Sequence, residues 1–180
     1  MAYDLFIVIQ ERMCVMSITV GQQLPEITMK LAKKDGAETV TTTALFADKK
    51  TILFALPGAF TPVCSARHLP DFAANKAALN AAGVDQIVCL SVNDAFVMQA
   101  WADSLGIGDS VLMLCDGSAE FTNAVGLTLD LTAAGMGIRS QRYAMIIDDG
   151  VVTHLEIEKE ASSCSVSGAD YFVTLLTKGV

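Results

Sequence analysis

An apolar run, Thr51-Ile-Leu-Phe-Ala-Leu56, breaks at Pro57-Gly58 and gives way to Thr61-Pro62 and a cysteine, Cys64. A short apolar run without alternation predicts a buried strand. The residues after it read as a turn, a capping residue and a first-turn proline. With Thr61 as N-cap and Pro62 as the first helical residue, Cys64 falls in the first helical turn. Unpaired backbone N–H groups and the helix dipole there favour a thiolate over a thiol. The junction therefore commits the chain to a strand–turn–helix platform with one sulfur at the end of a strand, where α/β folds usually do their chemistry.

The rest of the chain fits around that platform. Ile27–Leu31 and Glu38–Thr42 read as a strand pair around Lys34-Asp35-Gly36. Gln86–Val92 and Ser110–Leu114 read as further buried strands, and Arg142–Ile147 with Val151–Ile157 as a hairpin across Asp148-Asp149-Gly150. The pattern predicts a helix from Pro62 to about Ala82, with Leu69, Phe72 and Leu79 on one face and Gly83 as the stop. Others are expected from Asn93 or Asp94 through Leu105, from Ser118 or Glu120 to Val125, and over Ala169–Thr177. Gly126–Gly137 lacks a pattern and reads as a long loop. Strands alternating with helices, then a hairpin and a helix, predict an α/β sandwich with a central mixed sheet flanked by helices and an N-terminal strand pair as an extension.

Composition narrows the function. The 180 residues suit one domain. Twelve Lys and Arg against twenty Asp and Glu give a net charge of −8, which argues against a nucleic-acid partner. The apolar fraction of 52% leaves apolar surface to spare, and a homodimer is expected. No stretch approaches the roughly 20 apolar residues that span a bilayer, so no membrane partner is expected. Leu5–Ile9 is apolar but flanked by Asp4 and Glu11, without the basic start or small-residue cleavage site of an export signal. Met16-Ser-Ile-Thr-Val-Gly reads as an ordinary protein start. Residues 1–15 are therefore expected to be an extension outside the fold, with the domain over 16–180 and a cytoplasmic location. The five cysteines, Cys14, Cys64, Cys89, Cys115 and Cys164, include no Cys-x-x-Cys pair, and there are only two histidines. This disfavours structural zinc and a disulfide framework and fits a reducing compartment with one or two working thiols.

The string Pro57 to Cys64 contains Pro-x-x-x-Thr-x-x-Cys and is followed by Ser65 and His68-Leu69-Pro70. Together with Cys89-Leu-Ser-Val-Asn-Asp-Ala-Phe-Val97, Trp101 and Arg139-Ser-Gln-Arg142-Tyr143, it resembles the peroxiredoxins, specifically the type II, peroxiredoxin-five-like branch of the thioredoxin fold. The resemblance covers residues 16–180. One departure is Val63, where that branch commonly has Thr. The resemblance implies a thioredoxin-like sandwich and a thiol peroxidase that reduces hydrogen peroxide and organic hydroperoxides through a sulfenic acid at Cys64. It implies no metal, haem or flavin cofactor. Pro57 would shield the pocket. Thr61 would cap the helix and also bond the sulfur or the peroxide, since one hydroxyl can accept and donate. Arg142 would be the fixed positive charge beside Cys64, with Arg139 as the alternative. Electrons would come from glutaredoxin or glutathione, or from thioredoxin. Cys89 matches a cysteine seen across type II enzymes, and Cys164, in the polar segment Ser162–Gly168, falls near the resolving cysteine of animal enzymes. Either could resolve the sulfenic acid, or an external thiol could do so with no internal partner; Cys14 and Cys115 read as spectators.

Magnitude separates two sources of rate. An unperturbed thiol of pKa about 8.5 is a few per cent ionised at neutral pH, so full ionisation raises the thiolate only about thirtyfold, roughly 2 kcal/mol. Lowering the pKa also blunts nucleophilicity. Most of the rate must come from donors aimed at the breaking O–O bond. His68 shares a helix face with Cys64 by i, i+4 spacing, but peroxide needs no strong base, and His68 is expected on the helix surface or at an interface. Pro70 removes a backbone bond to Ala66 and is expected to kink the helix. Two rivals stand beside the peroxidase. A thioredoxin-like thiol–disulfide oxidoreductase needs Cys-x-x-Cys, and Thr61 stands where its first cysteine would be. A non-enzymatic redox sensor shares the first step.

Overall fold

The structure, a computed structural model, describes residues 17–178. The expected extension over 1–15, and Cys14 with it, lies outside them. The chain runs through β1 (Thr28–Lys33), β2 (Gly36–Thr41), α1 (Thr42–Phe46) and β3 (Lys50–Leu56), then a π-helical turn (Cys64–His68) that leads into α2 (Leu69–Ala74) and α3 (Lys76–Ala81). Next come β4 (Gln86–Ser91), α4 (Ala95–Ser104), β5 (Leu112–Cys115), α5 (Glu120–Ala124), β6 (Thr128–Leu131) and β7 (Gly137–Ser140). The hairpin β8 (Tyr143–Asp148) and β9 (Val151–Ile157) precedes the closing helix α6 (Ala169–Lys178).

Seven strands form one mixed sheet in the order β2-β1-β5-β4-β3-β8-β9. The β3–β4 and β4–β5 pairs are parallel, as helical crossovers require, and β1–β5, β3–β8 and β8–β9 are antiparallel. The strand pair β1–β2 does extend the fold, continuing the sheet beyond β5. Alternation along each strand divides the core in two. Ile52, Phe54 and Leu56 of β3 face Leu69, Phe72, Leu79, Trp101 and Phe172 from the α2, α3, α4 and α6 side. Leu53 and Ala55 face Leu45, Phe46, Phe121 and Val125 from the α1 and α5 side. This is the thioredoxin-like sandwich that the peroxiredoxin resemblance implies. Among the described residues, no helix is long and apolar enough to cross a membrane.

Local chemistry sets the boundaries. Asp94 caps α4 by accepting from the Val97 N–H at 2.9 Å. The Asp116 carboxylate takes the Phe121 and Thr122 N–H groups at the start of α5. Two expectations need correction. The segment 126–137 is not an unpatterned loop: β6 and β7 form a separate two-stranded hairpin. Both strands are half-exposed, so no apolar alternation marked them. The helix expected over Pro62–Ala82 is interrupted. Its first part is a π turn, in which the Leu69 N–H reaches the Cys64 carbonyl, and it breaks again at Asn75 between α2 and α3. Pro70 has no N–H to give to Ala66, which frees the preceding turn from α-helical pairing.

Candidate active site

The apolar run ends where expected, and the turn after it is built from backbone constraints. Pro57 and Gly58 are buried. A Cβ on Gly58 would lie 3.1 Å from Arg139 Nη1 and 3.4 Å from Met136, so a larger residue would press on the ends of both side chains. Phe60 holds a left-handed φ of 61°. Asn93, just past β4, fastens the turn: its Oδ1 accepts from the Ala59 N–H at 3.0 Å and from the Ser91 hydroxyl at 2.7 Å. Pro62 opens the helix, as the sequence predicts. Thr61 sits at the N-cap position, but its side chain does not cap. Its hydroxyl donates to the Gly58 carbonyl at 2.8 Å, so the expectation of a hydroxyl accepting from the helix backbone is corrected.

Cys64 is fully buried, and its polar neighbour arrives from across the sheet. The β3–β8 register pairs Ala55 with Tyr143, which puts Arg142, the residue just before β8, beside the end of β3. Arg142 is 3% exposed. Its Nη2 donates to Cys64 Sγ at 3.3 Å. Nε and Nη2 both donate to the Ala161 carbonyl, at 3.1 and 2.9 Å, and Nη1 donates to His68 Nδ1 at 2.8 Å. Of the five N–H donors of a guanidinium, four are committed among the described residues.

His68 is where the structure departs furthest from the sequence reading. It is not on the helix surface; it is fully buried, tilted against Phe54 at 4.8 Å and Phe72 at 5.7 Å. Its Nε2 lies 2.9 Å from the Ser167 carbonyl. Burial, and then the positive charge of Arg142, lower its pKa from 6.5 to about 3, so the ring is neutral. The segment that reaches it is held by Glu158. Burial pushes the Glu158 carboxyl up, but bonds from the backbone and hydroxyls of Ser167 and Ser165 outweigh this and hold it below the usual range. These strap residues left no signal in the sequence, because a recruited backbone carbonyl can belong to any residue type.

The other candidates separate. Arg139 does not reach the sulfur: it donates to the carbonyls of Met136, Val92 and Pro57, at 2.8, 3.2 and 3.5 Å, and braces the loops around the site. Cys89 is fully buried in β4, and burial raises its thiol pKa well above the ordinary value. Cys115, at the end of β5, is pushed by burial up to about 12. Cys164 is buried inside the Glu158 strap, not in an open polar loop, and burial raises its pKa too. Cys64, Cys89, Cys115 and Cys164 are all free thiols. Beside Cys64, the Ser65 hydroxyl accepts from Trp101 Nε1 at 3.0 Å.

Comparison with known proteins gives a consistent picture. The Redoxin family profile matches residues 19–173. The chain is 47% identical over 163 residues to peroxiredoxin-2E, chloroplastic, of Arabidopsis thaliana, covering 88% of this chain and 70% of that protein. It is 43% identical over 154 residues to Arabidopsis thaliana peroxiredoxin-2B, covering 85% and 94%. Among solved structures, reduced Prx3 from Vibrio vulnificus in complex with H2O2 superposes with a TM-score of 0.83 at 49% identity, covering 88% of this chain and 99% of that one.

Proposed function

The chain belongs to the redoxin family and, within it, to the peroxiredoxins, which are thiol peroxidases, and from that premise we propose that Cys64 is the nucleophile that attacks the peroxide. The observation that carries this assignment is the 3.3 Å contact between Arg142 Nη2 and Cys64 Sγ at the start of a helix. The sulfur attacks one oxygen of the hydroperoxide. An S–O bond forms as the O–O bond breaks, and the electron pair leaves with the distal oxygen, which takes up a proton and departs as water or an alcohol. Cys64 is left as a sulfenic acid.

Arg142 supplies a fixed positive charge and, with four of its N–H groups held among the described residues, a further N–H to meet the oxygen that gains charge. Thr61, whose hydroxyl hydrogen is spent on Gly58, offers its lone pairs to the O–H of the incoming hydroperoxide. Pro57, buried and without an N–H, walls the pocket and slows further oxidation of the sulfenic acid. Arg139 holds the Pro57 loop in place. Residues 16–180 act as the single catalytic domain.

A thiol then attacks the sulfenic sulfur and releases water, and a second thiol cleaves the mixed disulfide. Both internal candidates, Cys89 and Cys164, are buried with raised pKa values, which favours an external thiol, glutathione or glutaredoxin, over the thioredoxin route through an internal disulfide. Four free cysteines among the described residues fit a reducing compartment such as the cytoplasm. Phe96, Phe60 and Ile138 are 82%, 56% and 44% exposed on segments bonded to one another around the site, and we assign them to a homodimer contact. The test is peroxide consumption by Cys64→Ser with glutathione and glutaredoxin as reductant: loss of turnover is expected, and retained turnover overturns the assignment. Disulfide mapping after one equivalent of peroxide, with Cys89→Ser and Cys164→Ser alongside, decides the route.

A further inference from the structure

Arg142 reaches the sulfur through one arm of its guanidinium, and the opposite arm is occupied by His68. A guanidinium nitrogen only donates, so His68 Nδ1 must accept and carries no proton. The Ser167 carbonyl only accepts, so Nε2 must carry the hydrogen. Two partners of opposite demand therefore fix a single neutral tautomer. The ring also packs at a tilt against Phe54 and Phe72, which stack on each other at 4.2 Å. The guanidinium is thus held at three corners, twice by the Ala161 carbonyl and once by this imidazole, and the Nη2 arm has one direction left to point.

We propose that His68 is a positioning residue for the peroxidase reaction: as a neutral imidazole bridging Ser167 and Arg142, it aims the guanidinium at Cys64 and at the peroxide, without itself touching either. The role rests on the chemistry assigned to Cys64 and Arg142. It also extends the site to Glu158, which bonds the backbone and hydroxyls of Ser165 and Ser167 and so fixes the carbonyl that selects the tautomer. No proton moves through His68. Its contribution is orientation, and displacing a reacting group by about 1 Å can cost on the order of 100-fold in rate.

The test begins with the unaltered protein. With only two histidines in the chain, long-range proton–nitrogen NMR resolves the His68 ring. The expected result is a neutral ring protonated at Nε2 and unchanged from about pH 8 to pH 5, well above its pKa of about 3. A ring protonated at Nδ1, or one that titrates in that range, overturns the proposal. The rate constant for Cys64 oxidation by H2O2 is then measured in variants. His68→Leu is expected to lose roughly 10- to 100-fold. His68→Gln, whose amide can accept from Arg142 and donate to Ser167, is expected to stay within about threefold of the parent. In an Arg142→Lys background, the His68→Leu change is expected to cost less than about twofold, because its target is already gone. A full-sized loss in that background overturns the proposal, as does a His68→Leu protein that reacts at the parent rate. A Cys64→Ser protein that still consumes peroxide would instead sink the Cys64 assignment and leave the tautomer result standing.

Discussion

Cys64 and Cys89 are both fully buried in the same apolar cluster, yet they are opposites chemically. Cys89 lies inside β4 in register with Phe54, and burial, with the neighbouring Cys64 and Cys115 sulfurs adding to it against the opposing charge of Arg142, raises its thiol pKa well above the ordinary value. Cys64 stands at the end of the strand–turn–helix junction, where a guanidinium 3.3 Å away supplies a hydrogen bond and a positive charge. The difference is not exposure. It lies in the hydrogen bond: Cys89 sits in the middle of a strand, whereas Cys64 sits past the end of β3, where Arg142, just before the antiparallel neighbour β8, donates to the sulfur.

The largest test of that contrast makes Cys64 more like Cys89. Arg142→Lys keeps a charge but loses the fork that holds Sγ, Ala161 and His68 together. We expect the rate of sulfur oxidation, followed by stopped flow, to fall about 100-fold, equivalent to about 2.7 kcal/mol. Acid stability comes next. His68 carries a pKa of about 3 when folded against 6.5 ordinarily, so the unfolded chain binds the extra proton. Its contribution is complete above about pH 6.5 and is lost as pH falls toward 3. Glu158, held below its ordinary value, acts in the same direction at lower pH. Urea unfolding should therefore weaken by up to about 1.4 kcal/mol per pH unit below pH 6.5, and His68→Gln should flatten the part of the curve above about pH 5. Arg139→Met, which frees the Pro57 and Val92 carbonyls without touching the sulfur, should slow oxidation about fivefold in the same stopped-flow assay. Cys89→Ala should change that first oxidation by less than about twofold, and a larger change would erase the distinction between the two thiols.

Much of this contrast is readable in the chain. The apolar run, Pro57-Gly58 and Thr61-Pro62 place Cys64 correctly, because each is a local backbone signal. Arg142 is picked out by family resemblance, and the β3–β8 register brings it to the sulfur. The helix surface expected for His68 does not hold, because i, i+4 counting describes how it faces Cys64 but not what covers it. The cover is the strap Glu158–Gly168, which arrives from the far side of the hairpin β8–β9 and acts mainly through carbonyls. Residue type predicts a cap at Thr61. Its hydroxyl turns the other way because the tight turn leaves the Gly58 carbonyl within reach at 2.8 Å. The hairpin β6–β7 leaves no pattern in the sequence because neither of its strands buries a continuous face.

The π turn over Cys64–His68 has a geometric consequence. Each residue of a regular α-helix advances by about 100° around the axis. A turn that closes from Leu69 to Cys64 accommodates one residue more, so the sulfur and the body of the helix have separate phases. Leu69 and Phe72 settle the azimuth of the body, α2, against the sheet, while Cys64 keeps its own. A backbone drawn back into regular α geometry there would carry Sγ round by about 100° and away from the guanidinium. The alignment of the two reacting partners is thus governed by an irregular turn of helix that Pro70 leaves free to form.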